Sequence, residues 1–455
     1  MSLENLLSVI AKLIEERKYM AVKEIMSEEN AADLAALFEE MFGDDFKERR
    51  EFLILYRLLP KDLAAEVFAF MNTDMQQHLI TAFSDAELRE ILDNSFIDDT
   101  VDIIEEMPAN VVSRILQNSS TGARKAINTI LRYPKDSAGS IMTIEYVSLH
   151  SDMTVGESFA KIRRVGVNKE TIYTCYVTEN RKLIGIVTVK DLFLADEDDR
   201  IGDIMETNLI SVDTLEDKEV VANMFQKYDF LALPVTDRDG RLVGIVTFDD
   251  AMDVIQEENT EDVTKMAAIA PNEDTYFRTG VIKHAKSRIV WLLVLMISST
   301  ITGLIITKYE TAFEVMPLLV SFMPMLMDTG GNCGSQSSTL IIRGLALEEI
   351  HFCDFFKVVF KEFRIAIIVS AVLAVVNGIR IYLTYGRNLT LALTISMSLI
   401  CTVIMSKLIG AMLPMLAKRV NLDPALMAAP LITTIVDSCS IFIYFNIAMV
   451  MFGLR

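Results

Sequence analysis

MDTGGNCGSQSS, residues 327–338, decides how this chain is read, because of where it lies. VMPLLVSFMPML (315–326) precedes it and TLII (339–342) follows, all uncharged. Between these apolar runs stand a carboxylate, three glycines, three serines, an Asn and a Gln. In a soluble protein this would be a surface loop. Between membrane-grade flanks it is expected to be polar backbone at bilayer depth. Irregular backbone is tolerated there only along a water-filled path or buried in protein. The competing reading is a small-residue face packed against another helix.

The neighbouring sequence sets the membrane context. Ile289–Ile306 has no charge, Val315–Ile342 has only Asp328, and Pro424–Phe452 has only Asp437. Ile365–Ile379, extended past Arg380, and Leu389–Ser406, extended past Lys407, complete the set. A spanning helix needs about 20 apolar residues, so five spans are expected, near 286–307, 313–342, 361–385, 389–417 and 424–452. Lys283, Lys286 and Arg288, then Arg343, Lys357, Lys361 and Arg364, then Lys418 and Arg419 all fall on one side. Basic residues favour the cytoplasmic face. The N-terminal part is therefore expected in the cytosol and Arg455 outside, with Trp291 at the cytoplasmic interface. The opening LENLLSVIAKLIEERKYM reads as an amphipathic helix, so no cleavable signal peptide is expected.

Asp437 lies near the middle of the last span. An Asp at that depth costs roughly 3 kcal/mol and marks a functional site by default. The competing reading is a protonated, hydrogen-bonded side chain in a bundle. Asp328 reads equally as a pore-mouth residue or a helix cap. Glu310 and Glu314 read as an outer mouth or as solvated surface.

Charge separates the chain into two parts. Residues 285–455 carry 13 basic and 9 acidic residues, leaving 30 basic and 54 acidic in 1–284, a net of −24. The five cysteines show no metal-ligand spacing. There is no P-loop, and four histidines supply no Ser-His-Asp pattern, so no enzyme is expected.

Residues 1–133 read as short helices in a small superhelix of stacked pairs, with apolar positions three and four apart and breaks at Pro60, Asn72, Ser84 and Pro108. Next comes a repeat. RKLIGIVTVKDLF (181–193) returns as GRLVGIVTFDDAM (240–252), and SIMTIEYVSL (140–149) as DIMETNLISV (203–212). Strands alternate with helices, which makes α/β units over 134–198 and 199–258. The repeat resembles a tandem pair of CBS domains. Its copies end in Thr188-x-x-Asp191 and Thr247-x-x-Asp250. The resemblance implies a nucleotide held by Thr188, Lys190, Asp191 and Phe230, ATP being the candidate; the bland alternative is an empty pair. From Asp249 to Met266 runs a helix loaded with carboxylates, and residues 249–285 link the repeat to the membrane part. A solvated face is its competing reading.

At this point the whole order is specific. MDTGGNCGSQSSTLIIRGLAL, the DPALMAAPL-x4-VD run at 423–437, the CBS pair and the acidic helical start resemble the MgtE family of magnesium channels and transporters. The resemblance implies a multidomain fold: an all-α N domain, an α/β CBS pair, a plug helix and a five-helix membrane domain (286–455). It implies a homodimer in the bacterial cytoplasmic membrane, with Mg²⁺ as substrate and regulator. Asp437 would hold hydrated Mg²⁺ in the pore, with Gly331, Asn332 and Ser335 beside it. Asp250, Glu258, Glu261 and Asp262 on the plug helix, with Asp217, Glu219 and Asp423, would be Mg²⁺-sensing acids. In the N domain IDDTVDII points to Asp98 or Asp99. No nucleic-acid partner is expected. The alternatives are a membrane protein that senses nucleotide without conducting, and a carrier of Mn²⁺ or Co²⁺.

Overall fold

The structure is a computed structural model. It describes residues 3–43, 47, 50–271, 276, 279–309, 316–427 and 429–453. Glu310, Glu314 and Arg455 lie outside the described residues. The chain forms two compact units, Met1–Ile255 and Gln256–Arg455.

The first unit begins with ten helices among the described residues: α1 (Leu3–Glu15), α2 (Tyr19–Met26), α3 (Ala31–Phe42), α4 (Arg50–Tyr56), α5 (Lys61–Phe70), α6 (Thr73–Ala82), α7 (Asp85–Asn94), α8 (Ile97–Glu106), α9 (Ala109–Asn118) and α10 (Thr121–Ile130). Most are too short to persist alone in water. They persist by stacking, α3 on α5, α5 on α7, α7 on α9, and α8 on α10. This is the repeating logic of a solenoid. The shared core includes Leu34, Phe38, Phe52, Phe68, Leu79, Leu88 and Ile115. Local chemistry starts the helices: Ser84 and Glu87 form a reciprocal cap on α7, and Asn72 caps α6.

The repeat follows. β1 (Ser148–Leu149), α11 (Val155–Val165), β2 (Thr174–Glu179), β3 (Lys182–Thr188) and α12 (Val189–Leu194) make one copy. After α13 (Ile201–Ile204), β4 (Val212–Asp213), α14 (Lys218–Tyr228), β5 (Ala232–Thr236) and β6 (Leu242–Thr247) make the other, with α15 (Phe248–Met266) after them. Each sheet has its first strand parallel and its third antiparallel to the middle one. Both carry a register shift at the equivalent step, Val177/Thr178 and Val235/Thr236. The leading segments are exchanged. Thr143 bridges to Ile245 and Glu206 to Ile186. A Cβ on Gly244 would strike Met142, and one on Gly185 would strike Met205. The repeated Met and the repeated Gly are thus one crossing made twice.

The second unit holds α16 (Val281–Lys308), α17 (Met323–Ala346), α18 (Phe355–Thr384), α19 (Leu389–Arg419) and α20 (Ala429–Phe452). Four helical segments among the described residues are long and apolar enough to cross a membrane: Val281–Lys308, Phe352–Thr384, Leu389–Arg419 and Pro424–Phe452. The polar content of α17 keeps it out of that group. α17 packs on α19 and α20, α18 on α19, and α16 on α20.

The opening stretch corrects the sequence expectation. Residues 327–338 are neither loop nor broken helix but the middle of α17. A helix satisfies every backbone group internally, which an apolar setting demands. The glycines serve packing. A Cβ on Gly410 of α19 would run into the carbonyl of Gly334, and one on Gly330 would meet Thr402, Val436 and Ser440. The Ser406 hydroxyl donates to the Gly330 carbonyl, and Ser338 donates to the Met427 carbonyl at 3.0 Å.

Candidate ion path and sensing carboxylates

One face of α17 is closed and the other open. Gly330, Cys333, Gly334, Ser337, Ser338 and Ile341 are buried. Asp328, Asn332, Gln336 and Thr339 are exposed and Ser335 half-buried. Their spacing of three and four residues lines them along one side of the helix. Gly331 turns instead to α20, where a Cβ would collide with Thr433. Asp437 is half-buried on α20, within electrostatic reach of Asp328. Two carboxylates and a row of amide and hydroxyl groups therefore belong to one apolar unit.

The first unit contains a separate acidic centre. Asp98, Asp99 and Asp102 share a face of α8, and Asp249 and Asp250 lie in the first turn of α15. Glu145 and Glu170 reach the same place from the first copy of the repeat. Glu145 accepts from the backbone N–H of Ile97 at 3.0 Å, which caps α8. Asp250 accepts from the Thr247 hydroxyl at 2.5 Å. Burial first, then the neighbouring carboxylates Asp99 and Glu145, push Asp98 up to about 7. Burial and then Asp98 push Asp250 up to about 7. Asp99 rises to about 6, through burial and then Asp250 and Asp249. Glu170 rises to about 8, through burial and then Asp98. Asp102, at the solvent edge, is raised for the same two reasons. Carboxylates that hold protons this strongly are short of positive charge.

The second unit has a smaller acidic group with its own cation. Lys265 Nζ lies 2.8 Å from Glu261 and 2.7 Å from Asp423. Burial lowers its pKa, but these two bonds outweigh burial and raise it. Burial and then Asp423 raise Asp262. Glu258 lies one turn earlier on α15. In the first unit, Asp217 and Glu219 lie at the start of α14, where Asp217 caps the helix by accepting from the Glu219 N–H at 2.8 Å. Among the described residues no three His, Cys, Asp or Glu side chains converge closely enough to wrap a bare metal ion.

Thr188, Lys190 and Asp191 come together at the start of α12. The Thr188 hydroxyl donates to Asp191 Oδ2 at 2.5 Å, and the Asp191 N–H returns to Thr188 Oγ1 at 3.2 Å. Phe230 belongs to the second copy, its ring centroid 5.4 Å from that of Tyr228.

Family models match three regions: a divalent cation transporter model at residues 323–447, an MgtE intracellular N domain at 29–136, and CBS domains at 138–198 and 201–257. Over 450 residues the chain is 34% identical to the magnesium transporter MgtE of Thermus thermophilus, covering 98% of both chains. The chain belongs to the MgtE family. The MgtE of Bacillus subtilis is 32% identical, again over 98% of each chain. The crystal structure of the cytosolic domain of the Mg²⁺ channel MgtE in complex with ATP superposes with a TM-score of 0.51 at 34% identity, covering 55% of this chain and 99% of that one. MgtE relatives are transporters and channels, not enzymes, as the absence of catalytic motifs led us to expect.

Sequence reading missed Asp102, Glu145, Glu170, Asp249 and Lys265. Asp102 was findable, since it continues the Asp98–Asp99 face of one helix. Glu145 and Glu170 had no local signal, because only the folded repeat brings them to α8.

Proposed function

We propose that this chain imports Mg²⁺ across the cytoplasmic membrane as a homodimer. Residues 1–133 and 134–258 form the cytosolic sensor, and α16–α20 are five spans that place the C-terminus outside. The reading is carried by one observation: the open polar face of α17, with Asp328, Asn332 and Ser335, in a membrane-grade unit that also holds Asp437. Mg²⁺ gives up its waters reluctantly and binds through one or two carboxylates. Asp437, and its copy in the second protomer, would hold the hydrated ion, and the amides and hydroxyls of α17 would bond its waters.

Closure is by cytosolic Mg²⁺. Without the ion, the Asp98–Asp99–Asp250 centre repels itself. An ion bound only by the compact arrangement stabilises that arrangement by mass action. Glu258, Glu261 and Asp262 of α15, with Asp423, Asp217 and Glu219, act in the same sense, and α15 serves as the plug. The wide spacing of these carboxylates suits ions that keep their water. ATP at Thr188, Lys190, Asp191 and Phe230 would tune the sensor; the ATP complex of the related cytosolic domain supports this. The family description as a divalent cation transporter supports a second reading, in which Mn²⁺ or Co²⁺ also permeates. Flux into liposomes separates the two: Mg²⁺, Mn²⁺ and Co²⁺ uptake are compared at equal concentration, and an Asp437→Ala protein that still admits Mg²⁺ normally would refute the pore.

A further inference from the structure

The second unit buries an ammonium and a carboxylate that this mechanism does not use. Lys407 on α19 is 5% exposed, Glu362 on α18 is 6% and Ser337 on α17 is 1%. Lys407 Nζ donates to Ser337 Oγ at 3.2 Å. Ser337 Oγ donates its own proton to Glu362 Oε2 at 2.7 Å. One hydroxyl thus joins an ammonium to a carboxylate, and the three groups come from three helices. A lone charge in such a setting is strongly destabilising, whereas a hydrogen-bonded, neutral set is tolerated.

We propose that Lys407, Ser337 and Glu362 form a lock that fixes the rotation of α17 about its axis, and that they are positioning residues for ion permeation. The inference rests on α17 being a pore helix. Ser337 lies on the closed face, and Asn332, Ser335 and Gln336 on or beside the open one. Both bonds of the Ser337 hydroxyl hold only when α17 presents that face to α18 and α19. Slippage by one residue turns a helix by about 100°. That turn would swing Asn332 out of the path and bring Cys333 toward it. The close glycine contacts hold α17 against α19 and α20, and the two Ser337 bonds tie the same closed face to α18 and α19.

Cys333 is a native reporter, since it is buried beside Asn332. The test uses the full chain with Cys175, Cys353, Cys401 and Cys439 replaced by Ala. A water-soluble methanethiosulfonate labels Cys333, and Mg²⁺ flux per assembled protein is measured in liposomes. With the lock intact, labelling is slow. In Ser337→Ala it accelerates and flux falls, each by about tenfold or more, the scale of a positioning loss. Ser337→Thr keeps the hydroxyl and restores both. The double variant Lys407→Met/Glu362→Gln leaves no lone buried charge, so it assembles normally, yet it also labels fast and conducts poorly. Slow labelling with undiminished flux in Ser337→Ala and in the double variant would overturn the lock. Normal flux in Asp437→Ala would instead overturn the pore reading beneath it.

Discussion

Replacing Asp98 by Asn should stabilise the amino-terminal unit in the absence of Mg²⁺, which is the reverse of the usual effect of altering a buried side chain. Asp98 is 8% exposed, and burial, then the carboxylates beside it, raise its pKa from 3.8 to about 7. At pH 8 the carboxylate is ionised, and holding it so costs up to about 4 kcal/mol at ~1.4 kcal/mol per pH unit. Water at the open Asp102 side screens part of this, leaving roughly 2 kcal/mol. Asn is isosteric and its Oδ1 can keep the 3.0 Å bond from the Asp99 N–H. For a unit of this size 2 kcal/mol corresponds to about 6 °C in Tm. The sign with pH follows from linkage. A carboxyl whose folded pKa is raised favours the fold below its unfolded pKa, about 4, and that contribution is lost as pH rises to about 7. The Asn advantage should therefore be near zero at pH 4, grow through pH 5–7 and level off above. With millimolar Mg²⁺ the order reverses, because Asn removes a ligand and shrinks the ion's stabilisation. Thermal melts of both proteins in chelator and in Mg²⁺, at pH 4.5 and pH 8, read this directly. An unchanged or lowered Tm for Asp98→Asn in chelator at pH 8 would refute the reasoning.

The remaining predictions follow the same physics. Lys265→Met removes a built-in cation worth about 1 kcal/mol to Glu261 and Asp423; proteolysis of the α15 end against Mg²⁺ should show less protection without the ion and a midpoint about fivefold lower, whereas a curve unmoved at both ends would make Lys265 a surface contact only. Asp191→Ala should weaken ATP binding about tenfold, the value of one charge-assisted hydrogen bond, by calorimetry on the full chain; equal heats in both proteins would remove Asp191 from the nucleotide site.

The large divisions of the chain were legible because long-range composition encodes them. Spans show as uncharged runs, and the CBS pair shows as a repeat whose Met and Gly must match. The Thr188–Asp191 spacing survives as a helix cap, so it could be read locally. Residues 327–338 were read as irregular backbone, with a small-residue packing face as the alternative, because glycine and serine are weak helix formers in water; an apolar setting reverses that preference, and the packing face is what forms. Gly331, which the family resemblance put beside Asp437, faces Thr433 on the helix that carries Asp437, a contact between helices that no local pattern reveals. Lys407 registered only as an interruption of an apolar run. Its partners Ser337 and Glu362 are 70 and 45 residues distant and on other helices. The sequence carries no register between helices, so such a meeting is invisible until the helices pack. The same holds for Glu145 and Glu170, which complete the Asp98 centre from a different domain.

The central claim is that Mg²⁺ crosses beside Asp437 and that Mg²⁺ on the side of the amino-terminal unit stops it. Liposomes carrying the oriented full chain and an enclosed Mg²⁺ dye test it most directly, with Mg²⁺ varied on that side. The account predicts uptake at micromolar Mg²⁺ there, closure in roughly the millimolar range expected of water-rich carboxylate sites, and no uptake at any concentration for Asp437→Ala reconstituted at equal density. Uptake by Asp437→Ala at the wild-type rate, or a wild-type rate indifferent to Mg²⁺ on the sensing side, would contradict it.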